Sequence, residues 1–177
     1  MTQKDHDGMG GVLSAPMARG GATPMTLIAP DPLRPHEECV AVPEAFDAGL
    51  WFIGRIRTPW TQRADCPRRG DPAGGPDCRI ELDARWLSAL DGVAGKDRMQ
   101  VLYWMHLSRR DIVRQNPFFG DGSLGTFALR SPLRPNPIAS SLVRLLHVAG
   151  NVLTVRGLDC IDGTPLVDLK PEFGILP

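Results

Sequence analysis

Ile138-Ala-Ser-Ser-Leu-Val-Arg-Leu-Leu-His-Val148, then Ala149-Gly150-Asn151, then Val152-Leu-Thr-Val-Arg-Gly-Leu158, decides the fold. Two runs rich in branched apolar residues flank a Gly-Asn turn, a pattern that reads as a β-hairpin with a long first strand. Downstream, Asp162-Gly163-Thr164-Pro165 reads as another turn, and Leu166 to Pro171 as the strand that follows. Upstream, Leu50 to Arg57 is a strand candidate ended by Thr58-Pro59, Cys78 to Leu82 a short strand, and Ala84 to Leu90 a helical turn or two. Met99 to His106 is a nearly continuous apolar run of strand length, expected to be buried on both faces. Short strands at close spacing with Gly and Pro turns predict an all-β barrel or curled sheet with minor helical segments.

The hairpin is entered from Arg130-Ser131-Pro132-Leu133-Arg134-Pro135-Asn136-Pro137. Its prolines fix φ and remove backbone donors, so the segment can be neither helix nor central strand. It is a stiff loop carrying two guanidinium groups, a hydroxyl and an amide between apolar neighbours. Two readings are open on spacing alone: a connector with solvated arginines, or a ligand site whose ordering entropy is already spent in the fold.

The 177 residues, 42% hydrophobic, support one globular domain with a real core. Residues 1–24 lack periodicity and are expected to form a disordered arm, and residues 25–49, with Pro30, Pro32, Pro35 and Pro43, an irregular lead-in. Cys39, Cys66, Cys78 and Cys160 form no CxxC pair, so no structural metal site is expected; Cys66 and Cys78 bracket a loop that would let them approach each other, and free thiols are the expected state in a reducing cytoplasm. No signal-peptide h-region is visible and no apolar run approaches the roughly 20 residues of a membrane span, so a cytoplasmic location without membrane contact is expected. Net charge is zero, but residues 1–50 hold three bases against seven acids, leaving 17 bases against 13 acids in the rest. That mild basic excess permits a nucleic-acid partner without requiring one.

Several motifs are weak. Gly120, Gly122 and Gly125 satisfy G-x-G-x-x-G, but prolines on both sides leave no room for a strand-to-helix crossover. Ser131, Ser140 or Ser141 with His106 or His147 would need an orienting group that the sequence does not supply. Asp159, Asp162 and Asp168 are the densest carboxylates, readable as turn residues or as charge beside a cationic ligand.

Gly125-Thr-Phe-Ala-Leu-Arg-Ser-Pro-Leu-Arg-Pro-Asn-Pro-Ile138, followed by Leu158-Asp-Cys-Ile-Asp-Gly-Thr-Pro-Leu-Val-Asp-Leu-Lys-Pro171, strongly resembles the YaeB/TrmO family, also called TsaA-like. The resemblance includes Ile53-Gly54-Arg55-Ile56-Arg57-Thr58-Pro59 and the run ending Tyr103-Trp104-Met105-His106. It implies a small YaeB-like β-barrel over residues 50–177, with the preceding residues as an N-terminal extension. It also implies a homodimer with S-adenosylmethionine near the subunit interface, and methylation of N6 of threonylcarbamoyl-adenosine beside the tRNA anticodon. Carried over by position, the cofactor-binding residues would be Pro67, Arg68, Arg69 (where the family has glutamine), His106, Arg130, Ser131, Ser140, Asp162, Gly163, Thr164 and Pro165.

S-adenosylmethionine offers an adenine, a ribose diol, a zwitterionic end and a sulfonium, so its site needs stacking surface, hydrogen bonds and both signs of charge. Adenine N6 is a poor nucleophile because its lone pair is delocalised into the ring. Asn136 or Asp162 would therefore assist by accepting a hydrogen bond from the amine. The alternatives are the same chemistry on a non-tRNA acceptor, or a non-catalytic module that binds the cofactor.

Overall fold

The computed structural model describes residues 32–117 and 122–172. The arm expected over residues 1–24, the start of the lead-in, Gly120 of the glycine motif and residues 173–177 lie outside the described residues. The strands are β1 Glu38–Cys39, β2 Gly54–Arg57, β3 Asp77–Leu82, β4 Arg98–Trp104, β5 Ile112–Gln115, β6 Leu124–Gly125, β7 Ile138–Ala149, β8 Val152–Arg156 and β9 Pro165–Pro171. Single turns of 3-10 helix occupy Arg63–Asp65, Val93–Gly95 and Thr126–Ala128, and a longer one Ala84–Leu90.

Six strands close into a barrel in the order β2-β3-β8-β7-β4-β9, and β9 returns to β2. Every neighbouring pair is antiparallel. Closure follows from alternation along each wall. Cys78, Ile80 and Leu82 of β3, Met99, Val101 and Tyr103 of β4, Val143 and Leu145 of β7, and Leu153 and Val155 of β8 all point inward and are buried. Each such aliphatic side chain stabilises the closed form by about 1.5–3 kcal/mol relative to exposure. A one-residue slip would move a whole set to the outside.

The expected hairpin is present: β7 pairs with β8 from Arg144↔Arg156 to Ala149↔Val152. Two expectations need correction. Within Leu50 to Arg57 only Gly54–Arg57 is strand; Leu50, Trp51 and Phe52 precede the barrel wall and are exposed, with Trp51 tilted against Trp86 at 6.4 Å between centroids. The Met99 to His106 run is strand over Arg98–Trp104, and its burial alternates instead of covering both faces. A barrel has one interior, and the outward residues look apolar in sequence because some are covered locally, as Trp104 is by Phe52 at 6.3 Å. A small sheet, β1-β5-β6, lies beside the barrel. Two of its strands have two residues each, too short for a periodic signal.

Because the barrel is antiparallel throughout, its connections sort by end. The C-termini of β2, β4 and β8 and the N-termini of β3, β7 and β9 share one rim. Residues 58–76, 105–117, 122–137 and 157–164 therefore open together there. The opposite rim carries the β7–β8 turn and residues 83–97.

Candidate functional site

The 157–164 connection crosses the barrel mouth and ties it shut. At its start Asp159 meets the inner faces of β4 and β7: Tyr103 Oη donates to Asp159 Oδ1 at 2.5 Å and Ser141 Oγ to the same oxygen at 3.0 Å. The two hydroxyls lie 2.8 Å apart. Further along, Thr58 Oγ1 donates to Cys160 O at 2.8 Å and Thr58 N to Asp162 Oδ1 at 3.1 Å, which fixes the loop to the end of β2. Asp162 N donates to Trp60 O (2.7 Å) and Gly163 N to Ile56 O (2.8 Å). Gly163 has φ of 77°, a left-handed conformation that makes glycine the natural residue of this turn. Thr164, almost fully buried, returns its hydroxyl to Ile161 O at 2.8 Å.

Arg55 Nη1 donates to Gly163 O at 3.0 Å. Its charge also reaches His106, which stands half-buried just past β4. Burial first, and the Arg55 charge with it, hold the imidazole below its ordinary pKa, against a backbone hydrogen bond that opposes the shift. His106 is thus a neutral ring at pH 7, suited to hydrogen bonding or stacking and not to ion pairing.

The proline-rich loop is anchored from two sides. Gln115, 3% exposed, donates through Nε2 to Leu133 O at 2.6 Å and to Thr126 Oγ1 at 2.9 Å, and Thr126 Oγ1 donates to Ile112 O at 2.9 Å. From the other side Arg110 donates through Nε to Pro135 O (2.6 Å) and through Nη2 to Asn136 Oδ1 (3.3 Å). Its guanidinium lies 5.2 Å from the ring centre of Phe46 and 5.4 Å from that of Trp104. Held this way, the loop turns Arg130 back to β7, where Nη2 donates to Ser140 O at 3.1 Å. Ser131 Oγ accepts from Leu133 N at 3.2 Å, a local turn contact.

Three consecutive residues of β7 join these parts. Ser140 O receives Arg130, Ser141 Oγ holds Asp159, and Leu142 O abuts the Gly157 backbone, where a Cβ would lie 3.2 Å from it. Gly157 is in turn the contact of the 58–76 loop: a Cβ on Gly70 would fall 1.8 Å from Gly157 O. Pro67, Arg68 and Arg69 precede that contact directly. The Asp159 charge also reaches Cys66. Burial first, with Asp159 and Asp65 adding to it, pushes this thiol up, so it is no nucleophile at neutral pH.

The residues expected to bind cofactor thus fall on the loops of one rim or on the strands beside it, Ser140 in β7 and Pro165 at the start of β9. Arg130 touches Ser140, and Gly163 is tied to Arg55, whose charge reaches His106. Asp168 and Lys170 are not brought in: β9 carries them toward the opposite rim, where Lys170 Nζ lies 2.6 Å from Asp168 Oδ2. Sequence reading missed Tyr103 and Arg110, and weighed Ser141 only as a nucleophile. The signal for Tyr103 was available, since it is the chain's single tyrosine and falls at an inward position of an apolar run.

The profile of the tRNA-methyltransferase O N-terminal domain matches residues 55–174. The chain is 52% identical over 141 residues to "Probable S-adenosyl-L-methionine-binding protein VirR" of Rhizobium radiobacter, covering 79% of each chain. It is 33% identical over 129 residues to the tRNA (adenine(37)-N6)-methyltransferase of Escherichia coli, covering 67% of this chain and 55% of that one. Among solved structures, TrmO from Pseudomonas aeruginosa superposes with a TM-score of 0.61 at 29% identity, over 72% of this chain and 57% of that one. The chain therefore spans just over half the length of the Escherichia coli and Pseudomonas aeruginosa proteins. With the motif-bearing loops gathered on one rim of a closed six-stranded barrel, and the profile running from β2 through β9, the chain belongs to the tRNA-methyltransferase O family.

Proposed function

We propose that the chain methylates N6 of threonylcarbamoyl-adenosine next to the anticodon of tRNA, with the methyl donor bound on the loop rim. As a member of this family it is an S-adenosylmethionine-dependent methyltransferase. The observation that carries the placement is the convergence of residues 58–76, 105–117, 122–137 and 157–164 on one rim. The groups present there fit the cofactor. Arg130 is an exposed guanidinium for a carboxylate, His106 a neutral ring, and Gly163 and Ser140 main-chain positions beside an arginine.

S-adenosylmethionine supplies an electrophilic methyl group on a sulfonium, so positioning can account for most of the acceleration and no covalent enzyme intermediate is needed. This chain's residues hold and orient. The rim loops are pinned by neutral hydrogen bonds from Gln115, Thr58 and Thr164, which keep the site pre-formed. Asp162 accepts from Thr58 N and, at 3.5 Å, from Arg57 Nη1, and as a carboxylate it keeps lone pairs for the acceptor amine. Asn136 offers its amide from the proline-rich loop.

A homodimer belongs to the same proposal. Phe127 (82% exposed), Trp51 (80%) and Phe46 (78%) are large apolar groups on the surface, and a second copy seated on them would remove them from water. Light scattering at twice the chain mass is the expected result. The setting is the cytoplasm; among the described residues no helix is long and apolar enough to cross a membrane. The test of the function is transfer of a labelled methyl group from S-adenosylmethionine to a total tRNA pool, with mass analysis of the modified nucleoside. Label in N6-methylated threonylcarbamoyl-adenosine supports the reading. Cofactor binding with no label in any RNA refutes the tRNA acceptor.

A further inference from the structure

Asp159 stands apart from the other carboxylates of the rim. Oδ1 takes two hydroxyl donors from inside the barrel, Tyr103 and Ser141, while Oδ2 has no hydrogen-bond partner among the described residues. The side chain is half-buried, and Tyr103 beneath it is 3% exposed. Two neutral donors on one oxygen fix the direction of the carboxylate without cancelling its charge. No arginine or lysine salt-bridges it among the described residues, whereas Asp162 has Arg57, Asp168 has Lys170 and Asp77 has Arg156. A half-buried carboxylate that is oriented but lacks a countercharge is costly in isolation and favourable when a cation arrives.

Its place says which cation. Asp159 is bonded to Ser141, whose neighbour Ser140 receives Arg130 and whose neighbour Leu142 borders the Gly157–Gly70 contact behind Pro67, Arg68 and Arg69. It therefore sits where the two arms expected to hold the methyl donor converge.

We infer that Asp159 faces the sulfonium of bound S-adenosylmethionine, and that Tyr103 and Ser141 are positioning residues which aim it. The inference rests on the cofactor reading above and adds a consequence. Methyl transfer turns the sulfonium into a neutral thioether, so a fixed carboxylate favours the donor over the spent product S-adenosylhomocysteine and helps release it. Tyr103 donates through a phenol whose burial, together with the Asp159 charge, pushes its ionisation far up, so it stays a donor across the working pH range.

The test is isothermal titration of the full chain with S-adenosylmethionine and, separately, S-adenosylhomocysteine. Asp159→Asn keeps an oxygen for both hydroxyls and removes only the charge. It is expected to weaken S-adenosylmethionine by about tenfold and S-adenosylhomocysteine by less than about twofold. Ser141→Ala leaves the charge but loosens its aim, and should move the ratio the same way by about threefold, with Ser141→Thr restoring it. Tyr103→Phe gives a second reading of the same ratio if Asp159→Asn fails to fold. Equal losses for both ligands, or an unchanged ratio in the variants that fold, would overturn the assignment. Failure of the wild-type chain to bind either ligand would instead overturn the cofactor reading on which it depends.

Discussion

Gly70→Ala probes the close backbone contact of the 58–76 loop with Gly157. The added Cβ would lie 1.8 Å from Gly157 O and 2.5 Å from Gly157 C, whereas ordinary contact begins at 3.4 Å. The backbone must therefore open by more than an ångström. Gly157 has little room on the side away from the loop, where a Cβ would already stand 3.2 Å from Leu142 O. The exposed loop has to give instead. Its interior would survive, since Asp71 caps Ala73 N and Gly74 N at 2.9 and 3.0 Å, so the loop should lift as a unit. Overpacking at a site with partial relief costs about 2 kcal/mol, or a melting temperature lower by about 4–8 °C in a chain of this size. Because Pro67, Arg68 and Arg69 ride on the same loop, S-adenosylmethionine affinity should fall at least about tenfold. Calorimetric melting and titration read the two effects, with Gly95→Ala, which meets nothing within 4 Å, as the unperturbed comparison. A Gly70→Ala protein with the melting temperature and affinity of wild type would refute the close-contact reasoning.

Gln115→Leu removes the bond that ties the proline-rich loop from the Gln115 side, together with the bond to Thr126, and leaves Leu133 O unpaired in a part-buried setting. A stability loss of about 2–3 kcal/mol is expected in urea unfolding, and a loss under about 0.5 kcal/mol would show that the loop holds without it. Arg110→Lys keeps charge but loses the two-point contact to Pro135 and Asn136 and the flat stacking on Phe46 and Trp104. It should raise KM for the RNA acceptor several-fold while cofactor affinity stays level, and a matching drop in cofactor affinity would contradict the separation. His106 has a folded-state pKa depressed below its ordinary value of 6.5, so the unfolded chain binds its proton more readily. Its contribution to stability is complete above the unfolded pKa and is lost as pH falls from there through the folded value. The melting temperature should therefore decline below about pH 6.5, less steeply in His106→Asn, and an identical slope in the two proteins would remove His106 as the cause.

The barrel was legible where burial imposes a period of two over enough residues. Ile138 to Leu158 and Cys78 to Leu82 have that length, and their strands stand where alternation and turns put them. The apolar run at Met99 misled because its outward residues lie against other side chains, as Trp104 does against Phe52. Coverage of that kind is tertiary and leaves no period in the sequence. Strands β1 and β6 have two residues each and exist only because β5 lies between them. The site was legible as motif segments, Arg130-Ser131-Pro132 and Asp162 to Pro165. What no spacing could supply is the rule that unites them: in a closed antiparallel barrel every second connection emerges at the same rim. The Tyr103–Ser141–Asp159 contact joins three segments separated by 18 to 56 residues, and only the pairing of β4 with β7 brings the two hydroxyls together.

The hydrogen bonds also divide the roles among groups that the sequence left equivalent. Guanidinium is donor-only, so the Arg110 contact fixes which end of the Asn136 amide is oxygen. Oδ1 is engaged, so the NH2 is the group Asn136 has left to offer, suited to a ring nitrogen or a carbonyl and less to an amine hydrogen. Among the three carboxylates, Asp168 is paired on the wall leading to the far rim and Asp162 is bound into its turn by Thr58, leaving lone pairs only on its outer side. Asp159 alone combines a fixed direction with an oxygen that has no partner among the described residues. A methyl transferase must hold a cation on one side of the moving group and draw on an amine on the other. On the reading proposed above, the first task falls to Asp159 and the second to Asp162, so the charge-removing variants of the two should separate. Asp159→Asn should act on donor affinity. Asp162→Asn, if its turn is kept, should act on turnover with donor affinity intact.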